Sequence, residues 1–150
     1  MRLVIQRVKE ASIHIGELKH AAIGAGCLVF VGIEESDTEE DSLYVAQKLC
    51  NLRIFSDGEG KMNLDIKQTR GELLIVSQFT LMASTKKGNR PSFVTAAKPD
   101  KAVPLYHNFI SLCSTLIGKP CSEGKFGADM QVTLINDGPV TIILDSKTKE

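Results

Sequence analysis

Residues 26–51 read GCLVFVGIEESDTEEDSLYVAQKLCN and join the two kinds of element from which the chain is built. Residues 27–33, Cys-Leu-Val-Phe-Val-Gly-Ile, are the apolar run of a buried strand. Directly after it, Ser36-Asp37-Thr38-Glu39 has the S-x-x-E pattern of a capping box. Leu43, Ala46 and Cys50 then recur at helical spacing with Val45 and Leu49 beside them, which predicts a helix over about 38–51. Its acidic first turn suits the positive end of the helix dipole.

Working outward, Leu3 and Ile5 alternate with Val4, and Ser12-Ile13-His14-Ile15 runs to a turn at Gly16-Glu17. On the other side, residues 52–55 predict a short strand closed by Ser56-Asp57-Gly58-Glu59-Gly60, and residues 72–79 predict another. After a polar loop at 84–99, Val103, Tyr106, Phe109, Ile110, Cys113, Leu116 and Ile117 repeat at three and four. This second helix ends near Gly118, with Pro104 near its first turn, where a missing N–H does least harm. Residues 130–135 and 140–144 read as strands around Asn136-Asp137-Gly138-Pro139. Strands outnumber helices by several to two, an α/β chain of one domain with no linker or repeat.

At 150 residues, folding buries roughly 68–70% of the unfolded chain's surface, so one core is enough. With 43% hydrophobic and 24% charged residues, intrinsic disorder is excluded. Eighteen Lys+Arg balance eighteen Asp+Glu, which rules out a polycation that coats nucleic acid by charge alone. The balance is uneven along the chain, because Glu34 to Asp41 hold six acids and no base. Acids thin out around Lys86, Lys87, Arg90, Lys98 and Lys101, a stretch that reads either as a solvated loop or as a surface for phosphates. Cys27, Cys50, Cys113 and Cys121 are far apart with no CxxC pair, the first three among apolar neighbours, and read as buried free thiols. Neither a signal peptide's apolar core nor a run of eighteen apolar residues is present, so the expected compartment is the cytoplasm, with no membrane.

The three histidines, His14, His20 and His107, form no zinc pattern, so no metal or other cofactor is expected. No G-x-S-x-G elbow or phosphate loop occurs, and Gly24-Ala25-Gly26 precedes a strand where a dinucleotide fingerprint would open a helix. Two segments stand out. In Ser77-Gln78-Phe79-Thr80-Leu81, an apolar strand runs into polar side chains that need partners, as at a site or where a strand emerges into solvent. In Asn136-Asp137-Gly138-Pro139-Val140-Thr141, Asp-Gly is a strong hairpin signal, yet Pro139 opens the next strand, withholds a ladder donor and permits a cis bond.

These two segments, with Gln6-Arg7-Val8, Asn51-Leu52-Arg53-Ile54-Phe55, Gly60-Lys61-Met62-Asn63, Arg90-Pro91-Ser92-Phe93 and Phe126-Gly127-Ala128-Asp129-Met130, resemble the D-aminoacyl-tRNA deacylase family in one order along nearly the whole chain. The form Ser-Gln-Phe-Thr-Leu is closer to the D-specific deacylase than to the relative that edits L-alanine. The resemblance implies mixed, predominantly antiparallel sheets with two main helices in three layers, β/β/α. It implies a homodimer in which the Gly-Pro motif of one subunit enters the other's pocket. The implied reaction is hydrolysis of the ester joining a D-amino acid, or glycine, to the terminal adenosine of tRNA. On this sequence Ser77, Gln78, Phe79 and Thr80 would line the catalytic pocket, Gly138 and Pro139 would filter chirality, Arg7 would orient that motif and Met130 would border the pocket.

An aminoacyl ester is already activated, so positioned water and backbone N–H donors to the oxyanion can suffice without a histidine base. The resemblance also implies assistance from the 2′-hydroxyl of the tRNA's terminal ribose, beside the ester. Thr80 is the alternative nucleophile, though a hydroxyl with no adjacent base is a poor one. Lys86, Lys87 and Arg90 become candidates for phosphates of the acceptor end. A binding module of the same fold, acting by contact through a C-terminal tail, is the runner-up; only Lys147, Thr148, Lys149 and Glu150 follow Ser146.

Overall fold

The computed structural model describes residues 1–149; Glu150 lies outside them. The elements are β1 (Arg2–Ile15), β2 (Leu18–Ile23), β3 (Gly26–Gly32), α1 (Glu39–Asn51), β4 (Phe55–Ser56), β5 (Met62–Leu64), β6 (Glu72–Ser77), α2 (Pro99–Ile117), β7 (Ser122–Glu123) and β8 (Gln131–Asp145). A 3₁₀ turn, Phe79–Met82, follows β6.

β1 organises the sheet. Along nearly its whole length it pairs antiparallel with β8 on one edge, while its other edge pairs first with β3 and then with β2. The β3–β6 and β6–β7 pairs are parallel, and β4–β5 is a separate two-stranded ribbon. The sheet is therefore mixed and mostly antiparallel, as expected.

Alternation along β3 and β6 explains the layers. Cys27, Val29, Val31, Leu73 and Ile75 join the core that α1 and α2 cover. Leu28, Leu74 and Val76, on the opposite face by the period of two, pack with Ile13, Ile23, Val132 and Leu134. The sheet thus folds back over itself on one side and carries both helices on the other. Among the described residues, no helix is long and apolar enough to cross a membrane.

Several boundaries differ from those read along the chain. The cap of α1 is Thr38, whose N–H donates to Asp41 at 2.9 Å, and Ser36 instead donates to Glu34. The buried face of α1 is Ser42, Val45, Ala46, Leu49 and Cys50, with Leu43 turned outward. Pro99, not Pro104, takes the first position of α2, and Pro104 lies inside it; Gly118 ends it at φ 73° in the left-handed region, where glycine carries no Cβ penalty. The strand expected at 52–55 begins only at Phe55, because Leu52 still caps α1. The strand expected at 72–79 stops at Ser77. Gly32 leaves room for the turn that follows: a Cβ there would meet Leu81 Cβ at 2.8 Å.

Candidate active site

Beyond Ser77 the chain bends. Gln78 N–H donates to the Val31 carbonyl at 2.8 Å, Leu81 N–H to the Gln78 carbonyl at 3.2 Å and Ala83 N–H to the Thr80 carbonyl at 3.1 Å. The first N–H groups of a helical turn have no acceptor within it, and here they belong to Phe79 and Thr80. Gln78 Nε2 donates to Thr80 Oγ1 at 2.5 Å, which fixes the hydroxyl oxygen as an acceptor. Phe79 is 57% exposed and stands edge-on to Phe93, with ring centroids 5.1 Å apart.

Ser77, Gln78 and Phe79 form one wall of a cleft of about 320 Å³. Phe126, Gly127, Ala128, Asp129 and Met130 form the other, over a floor that includes Phe30, Val76 and Val132. Gly127 turns this wall at φ 77°, and Gly124 gives Met130 room, since a Cβ there would sit 2.7 Å from its sulfur. Asp129 is the one ionisable side chain on the lining among the described residues. No group of three His, Cys, Asp or Glu side chains able to hold a metal occurs among them either. Such a cleft offers apolar contact, hydroxyl and amide groups and backbone N–H donors, a set suited to polarising and positioning an ester more than to abstracting a proton.

Gly138 and Pro139 lie elsewhere. No hairpin forms: residues 131–145 are one strand, and both of its halves pair with β1. Asn136 pairs with Val8 and Thr141 with Gln6, so the residues between them bulge out of the ladder. Asn136 closes the base of the bulge, its Oδ1 accepting from Val140 N–H at 2.8 Å and its Nδ2 donating to the Val140 carbonyl at 3.2 Å. Arg7 Nε donates to the Asp137 carbonyl at 2.7 Å and Nη1 to the Ile54 carbonyl at 2.6 Å, with the Asp137 carboxylate 3.7 Å away. Cys27, opposite Arg7 in the ladder, has its thiol pushed up to about 12 by burial, so it stays neutral beside that guanidinium. The Gly138–Pro139 bond is cis, and both residues are exposed.

Within one chain the structure thus brings together Ser77, Gln78, Phe79 and Met130. Thr80 is exposed on the adjoining turn, and Arg7, Gly138 and Pro139 make a second group off the lining. Lys86, Lys87 and Arg90 are exposed on a loop whose base is closed by two hydrogen bonds between Ser84 and Ser92. Asn136 was missed as a site residue; its place in a turn-rich run was the available signal, and its partner four residues on came only with the bulge.

A model of the D-Tyr-tRNA(Tyr) deacylase family matches residues 4–145, a span that includes both cleft walls and the bulge. The chain belongs to this family. It is therefore a member of a family of hydrolases. Proteins named D-aminoacyl-tRNA deacylase from Cytophaga hutchinsonii and Akkermansia muciniphila are 57% and 56% identical to it over 150 residues, the full length of both partners in each comparison. A solved structure described as the c-Myc DNA unwinding element binding protein is 39% identical, has a TM-score of 0.92 and covers 97% of this chain and 98% of its own. Another, described as "a probable eukaryotic D-amino acid tRNA deacylase", is 17% identical with a TM-score of 0.82 over 95% of this chain and 97% of its own, a likeness of fold alone.

Proposed function

We propose that residues 1–150 act as one domain that hydrolyses the ester of D-aminoacyl-tRNA and of mischarged glycyl-tRNA, releasing free tRNA and the amino acid. The observation that carries this reading is an apolar cleft whose wall ends in the free N–H groups of Phe79 and Thr80 and whose lining holds no histidine or cysteine. An ester at the terminal adenosine seats there with Ser77 and Gln78 holding it and the N–H groups facing the developing oxyanion. Water oxygen bonds to the ester carbonyl carbon, and the bond from that carbon to the terminal ribose oxygen breaks. A proton from the water passes to the departing ribose oxygen, leaving a carboxylate on the amino acid and a free hydroxyl on the tRNA.

Gly138 and Pro139 filter chirality. They are exposed on a bulge pinned by Arg7 and Asn136 and do not line their own chain's cleft. A homodimer that exchanges this bulge supports the filter: with the substrate's amino group and ester both held, a D side chain points outward and an L side chain meets the partner's backbone. Glycine escapes such rejection. Lys86, Lys87 and Arg90 meet acceptor-end phosphates without reading sequence, Met130 borders the amino acid, and the work is chiral proofreading of translation in the cytoplasm.

The test is hydrolysis of D-tyrosyl-, L-tyrosyl- and glycyl-tRNA by the purified protein. Release from the D and glycyl substrates with the L ester intact is expected. Equal release from the L ester points to an L-editing relative, and tRNA retention without turnover points to a binding module. In the same assay Thr80→Ala is expected to keep kcat within about tenfold of the parent, because the backbone donors survive the substitution. A loss of several orders of magnitude with the fold intact makes Thr80 a nucleophile.

A further inference from the structure

The cleft opens at a fork. β7 runs parallel to β6 only as far as the pairs Leu74–Ser122 and Ile75–Glu123. From there β6 continues to Ser77 on one wall, and the chain after β7 swings through Gly124 to the Phe126 wall. A ladder that ends leaves backbone groups facing the gap, and those groups need partners when buried. The Ile75 carbonyl accepts the last rung from Gly124 N–H at 2.8 Å. It also accepts the hydroxyl of Tyr106, again at 2.8 Å. Tyr106 is fully buried in the middle of α2, and its ring meets Phe126 edge-on with centroids 5.8 Å apart.

We infer that Tyr106 is a positioning residue for the reaction proposed above, on which this inference rests: its hydroxyl ties α2 to the last rung of the fork at the Ile75 carbonyl and its ring supports the opposite wall, so it sets the spacing between Ser77 and Phe126. Tyr106 does not itself line the cleft; it backs the lining residue Phe126. Burial, with the Glu123 carboxylate nearby, pushes the phenol well above its ordinary range, so the hydroxyl stays protonated and donates to the Ile75 carbonyl as a second partner beside Gly124 N–H. A near-attack geometry is sensitive to small shifts of the walls.

Tyr106→Phe keeps the ring and removes only the oxygen. Phe109→Leu, one turn further along α2 and fully buried, is the control for general loosening of the core. The measurements are kcat and KM on D-tyrosyl-tRNA and amide hydrogen exchange at Ser77 and Gly124. Tyr106→Phe is expected to lower kcat roughly tenfold with KM within about twofold, and to speed exchange at those two amides relative to other β6 amides. Phe109→Leu is expected to lower the melting temperature without that kcat loss or that exchange pattern. Unchanged kcat in Tyr106→Phe, unchanged exchange at Ser77 and Gly124, or an equal kcat loss in Phe109→Leu each overturns the inference. The exchange measurement needs no substrate: inactivity of the parent protein sinks the proposed reaction, while the two amides still report the fork.

Discussion

Arg7→Ala is expected to lower the ratio of D- to L-tyrosyl-tRNA hydrolysis about a hundredfold while D-ester turnover stays within roughly tenfold of the parent. The Arg7 side chain is 11% exposed and donates to two carbonyls from distant parts of the chain, Asp137 in the bulge and Ile54 after α1. Removing it leaves both part-buried acceptors without their charged donor, a loss of about 1 kcal/mol or more for each. The bulge is then closed only at its base by Asn136, and under the proposed filter the loosened Gly138-Pro139 backbone would yield to an L side chain. A hundredfold change in a ratio of rates corresponds to about 2.7 kcal/mol, within reach of one rigid contact. Arg7→Lys is expected to fall between parent and alanine variant, because an ammonium is a point charge and does not reproduce the fixed fork of guanidinium donors. The measurement is kcat/KM on matched D and L substrates. A ratio within threefold of the parent's removes Arg7 from the filter.

The second large effect concerns folding. Asp37→Ala is expected to destabilise the protein by about 3–5 kcal/mol, which for this chain length lowers the melting temperature by roughly 6–20 °C. Asp37 is buried and accepts from the Met1 ammonium at 2.5 Å through Oδ1 and from Glu34 N–H at 2.8 Å through Oδ2. The ammonium also donates to Ser146 Oγ at 2.6 Å, and Ser146 N–H donates to the Met1 carbonyl at 2.9 Å. Without Asp37 a fully buried positive charge loses its counter-ion, and Lys147, 3.5 Å from the same carboxylate, adds a second cation nearby. Breaking a buried pair from one side costs more than the pair is worth as a whole. Glu40→Ala, an exposed acid in the first turn of α1, is expected to shift stability by no more than about 0.5 kcal/mol. Thermal and urea unfolding of both variants check this, and a loss below 1 kcal/mol for Asp37→Ala makes the pair dispensable.

Local pattern carried much of this. The period of α2 marked Tyr106, Phe109 and Cys113 as core, and all three are fully buried. The burial expected of the thiols holds for Cys27, Cys50 and Cys113, while Cys121 is only half-buried, and Gly118 ends α2 as expected. These features depend on residues within a turn or two, where side-chain chemistry and backbone geometry act directly. The family, too, was legible, because seven short segments in one order form a signal that needs no coordinates.

What only the tertiary structure decided involves partners far apart in sequence. Asp137-Gly138 has the local chemistry of a hairpin, yet β1 offers an edge long enough to pair both flanks of the motif, so the chain continues as one strand and expels residues 137–140 as a bulge. Local pattern carried the β6 strand on to Phe79, but the chain turns at Gln78 into a 3₁₀ turn whose Leu81 packs against β3 where Gly32 has no Cβ. Asp37 looked like part of a helix cap until Met1 and Ser146, from the two ends of the chain, surrounded its carboxylate. In each case local preference is worth about 1 kcal/mol or less per residue. A ladder edge, a close backbone approach or a buried charge outweighs it, and each of those exists only once the sheet has folded back on itself.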